Sequence, residues 1–149
     1  MKDEAVFFDT DILVYANDTS GGIKRETARK LISHAMTKNL GSVSTQVLSE
    51  FWVTVTQKLP VPLDRRLAER ELALLAAFNV VGIDVGLVLS SVKIQERHQL
   101  SYWDAQIVAT AALSGSAILY SEDLRDGAVY EGVKVVNPFA SVRRAGEPD

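Results

Sequence analysis

The chain has 149 residues, a formal net charge of −3, 47% hydrophobic residues and 23% charged ones, a balance typical of a soluble globular protein and too apolar for a disordered one. Two domains with full cores would not fit, so one domain over residues 1–142 with a polar tail at 143–149 is expected. With no cysteine and only two histidines, His34 and His98, the chain excludes disulfides, thiolate zinc sites and cysteine nucleophiles, so any metal must be a hard, oxygen-ligated cation such as Mg²⁺ or Mn²⁺.

Met1–Glu4 is acidic and lacks the apolar stretch of a signal peptide. No apolar run approaches the roughly 20 residues of a membrane span, so a cytoplasmic protein that does not enter a membrane is expected. Ala5–Asp9 (AVFFD) reads as a buried parallel strand ending in an acid, followed by a short helix at Ile12–Ala16 and a loop at Asn17–Gly22. In the helix expected over Ile23–Lys38, Ala28, Leu31, Ile32, Ala35 and Met36 fall at helical spacing, with Lys24, Arg25, Arg29 and Lys30 among the remaining positions. Gly41–Ser44 is a minimal strand. Thr45–Leu59 then carries the stripe Val47, Leu48, Phe51, Val55 and Leu59, and Pro60 and Pro62 end the helix.

Asp64 can cap a helix reaching Phe78, and Asn79–Asp84 returns as a strand. Helices are expected over Val85–Gln99 and Ser101–Leu113, and strands over Ala117–Tyr120 and Val133–Val136. This alternation predicts a three-layer α/β/α fold around a short central parallel sheet. Phe51, Trp52 and Trp103 lie in apolar stripes and read as core aromatics rather than base-stacking platforms.

Ligands of parallel sheets bind beyond the C-terminal strand ends, so acids placed there are the first candidates. Asp9 closes AVFFD, and Asp123 lies three residues after AILY. Glu50 sits in the otherwise apolar or small run Val47–Val53, where a charge is costly unless it faces a cleft or a partner. Asp104 opens a helix with no further charge through Ala112. Each acid also has a plainer reading. Asp104 completes an S-x-x-D capping box with Ser101, Asp9 can cap a helix, Glu50 can pair at the surface, and Asp123 can be a loop acid. Their joint placement points further, because clustered carboxylates repel unless a cation holds them together. Walker A, G-x-G-x-x-G and G-x-S-x-G motifs are absent.

Asp9-Thr10-Asp11-Ile12, Glu50, Trp103-Asp104-Ala105, Tyr120-Ser121-Glu122-Asp123-Leu124 and Val135-Val136-Asn137-Pro138-Phe139 form an ordered set that resembles the PIN domain family, in particular its VapC-type toxin ribonucleases. The resemblance spans about Val6 to Phe139. It implies that Asp9, Glu50, Asp104 and Asp123 are catalytic and bind Mg²⁺ or Mn²⁺, with Thr10, Asp11 and Ser121 as possible helpers. It also implies an RNA substrate, a cognate antitoxin and a homodimer. Relatives often carry Asn or Ser where Asp11 stands, and Asp126 adds another acid; the sequence assigns neither a ligand role.

Neutralising four acids would take the formal charge from −3 to +1. Lys24, Arg25, Arg29 and Lys30 form a candidate RNA-backbone face and Arg65, Arg66 and Arg70 a second, although either can be a solvated helix surface. Two rival readings stand beside the nuclease. Phe7-Phe8-Asp9-Thr10-Asp11 resembles the D-x-D nucleophile motif of haloacid dehalogenase-type phosphatases, though Leu13 stands where Thr or Val is expected. The same acids can also hold an ion in a non-catalytic binding module.

Overall fold

The computed structural model describes residues 3–140; the predicted tail at 143–149 lies outside them. Six strands form one sheet in the order β3-β2-β1-β4-β6-β5. The strands are β1 (Val6–Phe8), β2 (Gly41–Ser44), β3 (Asn79–Val81), β4 (Ile118–Tyr120), β5 (Val129–Tyr130) and β6 (Val133–Val136). Every pairing is parallel except β5 with β6. Successive side chains of a strand point to opposite faces, so the burial of all three β1 residues means that both faces of the sheet are covered there.

The helices are α1 (Thr10–Tyr15), α2 (Gly22–Lys38), α3 (Thr45–Val53), α4 (Arg65–Leu75), α5 (Val85–His98) and α6 (Tyr102–Leu113). A π-helical turn, Thr54–Lys58, prolongs α3 until Leu59 turns extended ahead of Pro60. The expected mixed α/β architecture is present. Strand β3 is shorter than the predicted Asn79–Asp84 because Asp84 instead caps α5, its Oδ1 accepting the Leu87 N–H at 2.9 Å. Gly41 is required where β2 begins, since a Cβ there would collide with the Phe78 ring.

The antiparallel strand β5 departs from the expected parallel sheet. Its two-residue turn uses Glu131 and Gly132 at φ of 52° and 80°, and both side-chain oxygens of Glu131 are bonded, to Arg97 at 2.6 Å and His98 at 2.8 Å. Positive φ at both turn residues matches the twist of a tight hairpin.

Three features place the site. Phe8 pairs with Tyr120, so Asp9 and Ser121 emerge side by side at the C-terminal ends of β1 and β4. Helix α3 springs directly from β2, with Ser44 Oγ accepting the Val47 N–H at 3.0 Å. Helix α6 is buried from Ala105 through Ala111, and its first turn, Tyr102–Asp104, is one of its two ends that meet solvent.

Candidate active site

Asp9 forms the floor of the site. It is buried at 7% exposure, and its backbone N–H donates to Tyr120 O at 3.0 Å. Its Oδ1 accepts the Thr10 N–H and its Oδ2 the Ser121 hydroxyl, both at 2.8 Å, so the carboxylate cannot rotate without losing both bonds. Burial pushes its pKa up to about 6; the Ser121 and Thr10 bonds oppose the rise, while Asp123 and Glu50 add to it.

Asp11 lies one residue into α1 beyond Thr10. Its Oδ2 accepts the Glu122 N–H at 3.0 Å, whereas its Oδ1 is buried without a hydrogen-bond partner among the described residues. Burial and then the negative charge of Asp9 push the Asp11 carboxyl up to about 8. One carboxylate oxygen from each of Asp9, Asp11 and Asp123 lies within 4.8 Å of the others.

The rim comes from helices. Glu50 is exposed on α3; its Oε2 accepts the Thr10 hydroxyl at 3.0 Å and its Oε1 the amide of Gln46, one turn earlier, at 2.7 Å. Asp104 occupies the first turn of α6, where a negative charge suits the helix dipole. Its backbone N–H donates to Ser101 Oγ at 3.2 Å. Capping is therefore done by Ser101, and the Asp104 carboxylate is left to face a cavity. Asp123 follows β4, and burial, then the charges of Asp104, Glu122 and Glu50, raise its pKa.

Asp9, Glu50, Asp104 and Asp123 line one cavity of about 110 Å³. The donor set fits a hard divalent cation on three grounds: it is all oxygen, its buried members carry raised pKa values that a cation would lower, and Asp11 Oδ1 is left unpaired beside it. Thr10 and Ser121 act as orienting partners, one through Glu50 and the other through Asp9. Asp11 does not line the cavity, although one of its carboxylate oxygens belongs to the cluster with Asp9 and Asp123. Asp126 is absent from the lining and accepts the Asn137 N–H at 2.8 Å.

Two expectations change. Trp103 is no core aromatic: it is 60% exposed and lines the cavity, because the first turn of α6 projects past the sheet. Lys24, Arg25, Arg29 and Lys30 do not form one free face of α2. Lys24 pairs with Glu122 at 2.6 Å, Arg25 Nε is buried without a hydrogen-bond partner among the described residues, and of these four Arg29 and Lys30 are exposed, Arg29 also donating to Ala16 O at 3.0 Å.

Gln46 and Gln106 join the lining without having been singled out in the sequence. Gln46 was legible as the residue four before Glu50 on one helix face. Gln106 had no such signal, being one more polar residue in a buried helix.

A family model described as PIN domain matches residues 6–131. Among curated proteins, no sequence match was found. Among solved structures, a toxin-antitoxin complex from Klebsiella pneumoniae is similar over 90% of this chain and 98% of that one, at 25% identity and a TM-score of 0.66. The Mycobacterium tuberculosis toxin VapC20, described as cleaving the sarcin-ricin loop, is similar over 80% of this chain and 90% of its own, at 20% identity and a TM-score of 0.63. VapBC2 from Rickettsia felis, bound to a promoter DNA fragment, is similar over 88% and 96% at 13% identity and a TM-score of 0.62.

Proposed function

Since the chain belongs to the PIN domain family, we propose that it is a metal-dependent endoribonuclease, the toxin of a toxin-antitoxin pair. The observation that carries this reading is the convergence of Asp9, Glu50, Asp104 and Asp123 on one small cavity from four separate segments of the chain. These acids are the metal-binding and catalytic residues, and Mg²⁺ or Mn²⁺ is the cation. When bound, a divalent cation supplies charge that neutralises a phosphodiester and acidifies water for in-line attack.

The chain's own residues do the positioning. Ser121 and the Thr10 N–H hold Asp9 in one orientation, and Thr10 and Gln46 hold Glu50 toward it. Fixed donors reduce the reorganisation needed when charge moves in the transition state. Trp103 offers an exposed ring face at the rim, suited to stacking an unpaired base beside the cleaved linkage. A second cavity of about 370 Å³ shares Gln46 and Glu50 with the first and reaches Lys58, a track along which a phosphate backbone can leave the site. Of Lys24, Arg25, Arg29 and Lys30, the last two are exposed enough to meet RNA phosphates.

The described toxin-antitoxin neighbours support an antitoxin partner. A homodimer is supported by the exposed apolar stripe Val85, Leu89 and Val92 on α5. None of the described helices is long and apolar enough to cross a membrane. The RNA substrate places the activity in the cytoplasm.

The test is cleavage of a mixed, structured RNA pool by purified protein in Mg²⁺, Mn²⁺ or EDTA, with Asp9→Asn and Asp104→Asn alongside. Metal-dependent cleavage lost in both variants is the expected result. Intact RNA with hydrolysed phosphomonoesters and an acid-stable phosphate on Asp9 would replace the reading with a phosphatase. Binding without turnover in any cation would replace it with a binding module.

A further inference from the structure

Glu122 stands next to Asp123 and adds a sixth negative side chain to a neighbourhood that already repels itself, raising the pKa of Asp11 and Asp123. Its bonds explain its presence. Its backbone N–H donates to Asp11 Oδ2 at 3.0 Å. Its Oε1 accepts the Tyr15 hydroxyl at 2.8 Å, and its Oε2 accepts Lys24 Nζ at 2.6 Å.

Lys24 is seated as well as paired. Its Nζ is 3.4 Å from the Tyr15 oxygen, 4.9 Å from the centre of the Tyr15 ring and 5.4 Å from that of Phe139. The two rings meet edge to face at 5.0 Å. Only about a quarter of the Lys24 side chain, 27%, is exposed. An ammonium held by a carboxylate and two ring faces has little freedom to reach a phosphate.

Tyr15 lies four residues after Asp11, so both project from the same face of α1 toward the segment after β4. Glu122 is thus gripped through its backbone by Asp11 and through its side chain by α1 and α2. The flanking residues of this short segment are the ones the site uses: the Ser121 hydroxyl donates to Asp9, and the Asp123 carboxylate enters the cavity.

We infer that Lys24, Tyr15 and Glu122 form a strut that positions Ser121 and Asp123, so that Lys24 serves the site through Glu122 and not by contact with RNA. The inference rests on the nuclease reading for the role of Asp123. Lys24 and Tyr15 are positioning residues, and the strut converts the packing of α2 into the placement of a carboxylate three residues beyond the end of β4.

The test is a double-mutant cycle of Lys24→Met and Glu122→Gln, read by Mn²⁺ affinity in calorimetry and by kcat and KM on cleaved RNA. Lys24→Met is expected to weaken Mn²⁺ binding and lower kcat by about tenfold, the lower end for groups that orient metal ligands, with KM and its salt dependence unchanged. In the Glu122→Gln background the same substitution should add nothing, because its partner is already gone. Lys24→Arg should restore most of the activity. If Lys24→Met does not fold, Tyr15→Phe, which keeps the ring packing, should show the same pattern at smaller size.

A rise in KM with a shallower salt slope would make Lys24 an RNA contact and overturn the strut, as would effects that add in the cycle or an unchanged Mn²⁺ affinity. Wild-type protein that binds no Mn²⁺ would instead overturn the nuclease reading and the strut with it.

Discussion

The floor and the rim of the acid cavity are built in opposite ways. Asp9, buried at the end of β1, and Asp11, half-buried one step further on, take backbone N–H groups from Thr10 and Glu122 and are pushed up to about 6 and about 8. Glu50, Asp104 and Trp103 stand on helices at the solvent side, where rotamers can adjust. A buried carboxylate tied to the backbone resists displacement but is costly to ionise without a cation. An exposed one costs little to ionise but is less fixed in position. The contrast assigns geometry to the floor and adaptation to substrate to the rim.

The sharpest way to break that contrast is to compare Asp9→Asn with Glu50→Gln in metal-dependent RNA cleavage. Loss of the floor acid is expected to cost roughly 10³-fold in kcat, about 4 kcal/mol of barrier, and loss of the rim acid roughly 30-fold, with part of the deficit recovered at high Mn²⁺. Equal losses, neither rescued by metal, would erase the distinction.

A smaller effect should separate the rim's substrate role from its metal role. Trp103→Ala is expected to raise the KM for RNA about tenfold, in the range of one lost base stack, while Mn²⁺ affinity stays the same and Trp103→Phe retains most binding. If metal binding falls instead, Trp103 is part of the rim's framework and not a stacking face.

The smallest effect concerns stability, and its sign follows from the floor. Folded-state pKa values raised from 3.8 to about 6 and about 8 give stability that is full below about pH 4 and lost as pH rises through those two values. Metal-free protein should therefore melt at lower temperature at pH 8 than at pH 5, and added Mn²⁺ should raise Tm more at pH 8. Asp11→Asn, which keeps the acceptor for Glu122 N–H and removes the charge, should stabilise the metal-free protein at pH 8 by roughly 1 kcal/mol, about 3 °C in Tm, with no gain at pH 4. A Tm that is flat between pH 5 and 8 would mean that the floor acids are not strained by burial.

Much of this site was legible before any coordinates. Asp9 and Asp123 follow apolar runs that could only be strands, and Asp104 opens a helix with no other charge through Ala112. Those are local patterns, and local patterns are what periodicity reads. Glu50 was marked by the cost of a charge in an apolar stretch, and the structure places it exposed at the cavity with Thr10 and Gln46 as partners.

The misses share one cause. Strand β5 is only two residues long and gains its place through β6 and through the bonds that Arg97 and His98 make to Glu131, 34 and 33 residues away. Trp103 belongs to an apolar helix, yet sits on the turn that extends past the sheet. Lys24 has the spacing of a surface cation, but its partner Glu122 lies 98 residues on. Helical spacing says which residues share a face and not what that face meets.

The sequence by itself located the six helices, five of the six strands and the four candidate acids, because hydrophobic period, capping and the absence of cysteine act over a few residues or over composition. Only the tertiary structure decided that the acids meet, that Asp9 alone of the four is buried, and that one lysine of α2 turns inward. Those outcomes depend on strand order and register, which join residues about 40 to 110 positions apart and are set by packing summed over the whole sheet.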